Sequence, residues 1–118
     1  MITYPVPEER IDLIRRVLKP AGIRPPRRTA ELTIAILQLV ASRRGIAALP
    51  NWGLKNYTDY EYILARRIGK GGLWSDLYVT MTKDTAARPY TADFIGTARA
   101  RCFETLDGIE PLEKPVAK

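Results

Sequence analysis

Histidine occurs nowhere in these 118 residues, and cysteine occurs once, at Cys102. Without an imidazole there is no Ser–His or Cys–His nucleophile pair, no histidine general base and no histidine zinc site. One thiol builds neither an internal disulfide framework nor a thiolate metal site, and it suits a reducing compartment. No apolar run approaches the roughly 20 residues that a membrane span needs. The segment MITYPVPEER has neither the basic start nor the long apolar stretch of an export signal, so a cytoplasmic location is expected. Carboxylates remain, but no two share an apolar setting that would shift the pKa of one. Neither catalysis nor a cofactor is expected.

What is present has the balance of an ordinary globule, with 46% hydrophobic and 27% charged residues. A chain of this length suits one domain and buries very roughly 65% of its unfolded surface. The net charge of +6 raises the question of nucleic acid. The arginine pairs at 15–16, 27–28, 43–44 and 66–67 are spread over the chain, however, and no aromatic residues are interleaved as a base-stacking platform. A solvated basic surface is the favoured reading, with a stand-alone nucleic-acid-binding module as the alternative.

The order of elements follows from punctuation and periodicity. Ile2 to Val6 reads as a short strand confined by Pro5 and Pro7. Pro7-Glu8-Glu9 opens an amphipathic helix through Lys19, with Ile11, Ile14, Val17 and Leu18 inward. Pro25 and Pro26 keep 23–28 extended. Thr29 reads as the N-cap of a second helix with Glu31 in its first turn, apolar nearly all round from Leu32 to Ala41 and therefore buried. Gly45 is expected to end it in the left-handed conformation, and Ile46 to Leu49 to form a short central strand closed by Pro50. Strand, helix, strand, helix, strand implies two right-handed crossovers sharing a parallel sheet. Further on, 51–58 holds room for one short helix, while 61–68 and 73–81 alternate as strands. Thr91 caps a last helix with Ile95, Ala98, Cys102 and Leu106 inward, and 108–118 reads as a frayed tail. Leu73, Trp74, Tyr78 and Phe94 want partners that the two strands and one helix of the second half do not obviously supply.

The run TAELTIAILQLVASRRGIAALPNW at 29–52 resembles the second subdomain of a LysR-type effector-binding domain. A buried helix, a glycine and an apolar strand ending in Leu-Pro form that signature. ITYPV at 2–6, LKPAGI at 18–23, LPNW at 49–52 and GLWSDLYV at 72–79 narrow the resemblance to the branch that regulates methionine biosynthesis. It implies an α/β, periplasmic-binding-protein-like fold, with one complete subdomain of parallel or mixed sheet and helices plus part of the second. On that pattern 1–60 is subdomain two, 61–107 the returning part of subdomain one, and 108–118 a flexible tail. It also implies a parent regulator whose winged helix-turn-helix, linker helix and first half of subdomain one are encoded outside this sequence. DNA would be bound only through that helix-turn-helix. A small effector, homocysteine or a related amino acid, would lie between the subdomains. The same analogy suggests a homo-oligomer through the helix at 8–19. A small-molecule-binding protein unrelated to transcription is the other alternative.

Thr29 and Thr33, one helical turn apart on the expected helix, would seat a carboxylate with the free amides of its first turn. A simple cap and a hydroxyl bonded back into the helix account for them equally. Family matching favours the seat. Glu31 could meet an ammonium or merely favour the dipole, and Gln38 reads as a satisfied core amide. On the family pattern Tyr4 and Pro5 lie on the first crossing segment. Pro50 and Trp52 lie beside the strand end where ligands collect, Trp52 as an apolar wall or as core.

Overall fold

A computed structural model describes residues 1–112 and divides the chain into two compact units, Met1–Ser75 and Asp76–Lys118. The last six positions of the expected tail, 113–118, lie outside the described residues.

The centre of the first unit is a small parallel sheet. Strand β1 (Ile2–Thr3) pairs with β2 (Arg28–Thr29) in the register Ile2 to Arg28 and Thr3 to Thr29, and Ile2 bridges in parallel to Ala47 on its other side. The expected parallel order is present with its centre moved: β1 is flanked on both sides, and the segment at 46–47 is an edge held by that bridge and by Ile2 N–H donating to Ile46 O at 2.8 Å. Pro5 and Pro7 keep β1 short because neither can donate a ladder bond. Gly45 lets the edge come close, since a Cβ there would stand 3.0 Å from Ile2 Cδ1.

Helix α1 (Thr33–Ala41) packs on this sheet through Ile36 and Leu37, both essentially inaccessible to solvent. Burial is one-sided rather than all round, because Leu32 and Ile34 face outward. Its end also differs from expectation. Arg43, not Gly45, takes the left-handed conformation at φ 58°, with Arg43 N–H donating to Val40 O and Arg44 N–H to Leu39 O, both at 2.9 Å. Those two bonds are a Schellman cap, which fixes the left-handed residue one place beyond Ser42, whichever residue stands there.

The single helix expected over 8–19 is a 3-10 turn at Glu8–Arg10 followed by a π-helix at Leu13–Leu18. Its wide turn is closed by Lys19 N–H on Ile14 O at 2.8 Å. Only Ile14 is fully buried there, with Ile11, Val17 and Leu18 half-buried. A 3-10 turn at Asn51–Gly53 and helix α2 (Lys55–Asp59) follow the edge segment. The segments 61–68 and 73–81 show no ladder among the described residues, and Leu64, Leu77 and Val79 are exposed. Alternation makes a strand only where a neighbour supplies hydrogen bonds.

The second unit holds α3 (Lys83–Ala86) and α4 (Pro89–Thr105). Thr82 caps α3 by accepting from Thr85 N–H at 3.2 Å. Pro89 opens α4, where its missing N–H costs nothing. Thr91 is therefore the third residue of α4 and not its cap, and its buried hydroxyl donates to Thr85 O at 2.6 Å. Of the stripe expected to face inward, Ile95, Ala98 and Leu106 are half-buried and Cys102 is exposed. Among the described residues no helix is long and apolar enough to cross a membrane.

Candidate effector cleft

Extending the observed register by two residues levels Tyr4 with Ala30 and Leu49, and Pro5 with Glu31 and Pro50. Three parallel segments thus end together at their carboxyl edge, where open α/β sheets collect ligands. Helix α1 starts at the same edge, with Leu32 at its N-cap and no side chain bonded to its first-turn amides. Free amides and the helix dipole favour an anion there.

One hydrogen bond organises this edge. Tyr4 Oη and Thr33 Oγ1 are 2.5 Å apart, joining the end of β1 to the first residue of α1. Tyr4 is half-buried and Thr33 exposed, so the pair has a packed side and an open one.

Thr29 does not share a helix with Thr33. It lies in β2 opposite Thr3, and Ala30 N–H donates to Thr3 O at 2.9 Å. A ladder position has captured a residue with the signature of an N-cap, and Glu31 consequently precedes the helix in a bend. Both are exposed near the same edge, as are Pro5 and Pro50. Pro50 precedes the 3-10 turn and Trp52 sits within it, 39% exposed and so neither sealed core nor free.

Two features were not foreseen. Arg27, half of a pair read as solvated, is half-buried and donates three hydrogen bonds to Thr3, Tyr4 and Val6, whereas Arg28 is exposed. Alternation offered the signal, since an extended Arg-Arg pair presents its members to opposite faces. The second feature is a cavity of about 400 Å³ beside α1, lined by Ile34, Asn56, Tyr57, Tyr60 and Tyr62. Gln38, expected in the core, is exposed there and accepts a hydrogen bond from the Tyr62 hydroxyl.

The groups with shifted pKa values lie outside this edge. A hydrogen bond from Ser75, then one from Arg15, holds Asp12 below its ordinary value of 3.8, against a small burial effect. Arg15 Nη2 is 2.7 Å from Asp12 Oδ1, and Arg16 Nη1 donates to Trp74 O at 2.6 Å, so the segment at 73–75 is tied to the π-helix. In the second unit, donation to Asp76 at 3.1 Å raises the Tyr78 hydroxyl. Among the described residues no group of three or more His, Cys, Asp or Glu side chains could hold a metal ion.

Residues 1–103 match the LysR substrate binding domain. The HTH-type transcriptional regulator MetR of Haemophilus influenzae is 49% identical over 111 residues, which is 94% of this chain and 36% of that protein. MetR of Escherichia coli K12 is 34% identical over 115 residues, covering 98% of this chain and 36% of its own. The solved regulatory domain of MetR, a LysR family regulator from N. meningitidis, superposes with a TM-score of 0.80 at 48% identity, covering 95% of this chain and 52% of that one. The chain therefore spans about a third of the length of these curated relatives. Its α/β fold is that of LysR regulatory domains, and its relatives are transcriptional regulators rather than enzymes.

Proposed function

This chain belongs to the LysR substrate binding domain family, and from that premise we propose that it is the effector-binding part of a transcriptional regulator of methionine biosynthesis. The effector is homocysteine or a related small amino acid, and the chain catalyses nothing. DNA is bound by a helix-turn-helix elsewhere in the parent, as the naming of its relatives suggests, and that parent is a cytoplasmic homo-oligomer. Within the chain, 1–60 acts as the second effector-binding subdomain and 61–107 as the returning part of the first.

The observation that carries this reading is the Tyr4–Thr33 pair at the carboxyl edge of the sheet. A carboxylate takes the Thr33 hydroxyl and the free first-turn amides of α1, a charge-assisted arrangement. Glu31 meets the ammonium group and Trp52 the apolar part of the side chain. Tyr4, Pro5, Thr29 and Pro50 shape the rim.

Titration calorimetry with homocysteine tests it. Loss of one hydrogen bond to a charged group costs about 1.5–3 kcal/mol, so Thr33→Val should weaken binding by about tenfold to a hundredfold with the fold intact. Unchanged affinity in that variant would remove the carboxylate seat. No binding by the unaltered protein would remove homocysteine as its effector.

A further inference from the structure

Arg27 spends one guanidinium on the short segment that carries Tyr4. Its Nε donates to Thr3 Oγ1 at 2.6 Å, and its Nη2 donates to the carbonyls of Tyr4 at 2.8 Å and Val6 at 2.5 Å. None of these acceptors is a carboxylate, so the contact is not an ion pair. Ladder pairing ends at Thr3, and Pro5 has no N–H with which to extend it. Beyond that point the segment makes the local backbone bond from Val6 N–H to Tyr4 O at 2.8 Å. A rigid planar fork gripping carbonyls on both sides of a proline does what ladder bonds would otherwise do.

We propose that Arg27 is a positioning residue of the effector cleft: by fixing the Tyr4 and Val6 carbonyls it keeps the Tyr4 phenol on Thr33 and so sets what Thr33 offers a ligand. The proposal rests on the reading of the cleft given above. A phenol O–H is a better hydrogen-bond donor than an aliphatic O–H. Tyr4 therefore donates, Thr33 accepts, and Thr33 keeps its own proton for the ligand. A cleft prepared in this way selects an acceptor, such as a carboxylate, over an ammonium at that position. Without Arg27 the segment relaxes, Tyr4 leaves, and Thr33 turns to donate or accept at random.

Two measurements test this, one of them without ligand. In protein labelled with ¹³C at tyrosine Cζ, the Tyr4 signal is assigned by its loss in Tyr4→Phe, and Thr33→Val marks the position of an unpaired phenol. Arg27→Met should move the Tyr4 signal to that position, and Arg27→Lys, which keeps a single donor, part of the way. A folded Arg27→Met protein with an unmoved signal overturns the proposal, and should that variant not fold, an unmoved signal in Arg27→Lys does so instead. The second measurement is homocysteine calorimetry. Arg27→Lys should lower affinity by about tenfold in the unaltered protein and add little in a Tyr4→Phe background, as for two residues acting through one contact. Equal losses in both backgrounds would show that Arg27 acts on the fold at large. If the unaltered protein binds no homocysteine, the effector reading fails while the tyrosine signal still decides the role of Arg27.

Discussion

Tyr4 Oη and Thr33 Oγ1 meet at 2.5 Å across 29 positions of sequence. One belongs to the chain leaving β1 and the other opens α1, so a single proton links the sheet edge to the helix start. Both are accessible enough for water to replace the bond. Tyr4→Phe should therefore lower stability by only about 0.5–1 kcal/mol in urea unfolding, below the usual value for a buried hydrogen bond. A loss several times larger would mean that the phenol is structural first and only secondarily part of a binding site.

The two buried positions of α1 should behave very differently from their neighbour. Ile36 and Leu37 are fully enclosed, whereas Ile34 is 51% exposed. Ile36→Ala or Leu37→Ala should cost about 2–5 kcal/mol through lost transfer energy and the cavity left behind. Ile34→Ala should cost a fraction of that, although it removes the same atoms. Equal shifts in urea midpoint would place the buried face of α1 elsewhere.

Gly45 and Ile2 form a tight contact that invites a double-mutant cycle. An added Cβ at Gly45 would meet Ile2 Cδ1 at 3.0 Å and Cγ1 at 3.2 Å. Ile2 is buried, and Gly45 itself holds φ at 157°, which side chains rarely adopt, so Gly45→Ala should cost at least about 1–3 kcal/mol through overpacking and backbone strain together. Ile2→Val removes the nearer atom, and Gly45→Ala should then cost measurably less. Strict additivity of the two changes would contradict the contact.

At the other end of α1, Arg43 holds φ at 58°. A left-handed non-glycine residue carries a penalty of roughly 1–2 kcal/mol, part of which glycine returns as extra freedom in the unfolded chain. Arg43→Gly should accordingly raise stability by about 0.5–1 kcal/mol, read as a higher melting temperature. A lower one would show that the arginine side chain itself holds the turn.

Asp12 gives the pH dependence a sign. Ser75 and Arg15 hydrogen bonds depress its folded pKa below 3.8. Its contribution is therefore complete above that value and fades as pH falls through the lower folded value. Asp12→Asn should be less stable at neutral pH, and the gap between the two proteins should close at pH values below 3.8. Urea midpoints taken across that range check both statements. A gap that widened on acidification would reverse the sign.

Much of the first unit could be read from residue order alone, because prolines and helical spacing are local signals. The parallel order and the position of α1 came through. What failed was decided by which hydrogen bonds form, long-range in the sheet and local at the end of α1. Thr29 carries the composition of a cap, and only its pairing with Thr3 shows that it is a strand residue. Gly45 is the natural candidate for a left-handed stop, yet the cap bonds put that conformation on Arg43. Arg27 and Arg28 are identical letters, and the sheet alone separates them. Residues 61–68 and 73–81 have the alternation of strands, but alternation says nothing about where a partner lies. Tyr4 and Thr33 were each singled out from the sequence, while their pairing depends on a fold that brings distant positions together.

The parallel register also dictates an order of assembly. Ile2 touches Arg28 on one side and Ala47 on the other, so its pairing waits for two crossovers to close. Contacts of such long sequence separation slow folding, because loop entropy is lost before any pairing rewards it. During synthesis the central strand emerges before either of its two neighbours in the sheet and is completed last. Until Ala47 has left the ribosome, Ile2 is an unsheltered apolar side chain, and this interval is where a chaperone has most to protect.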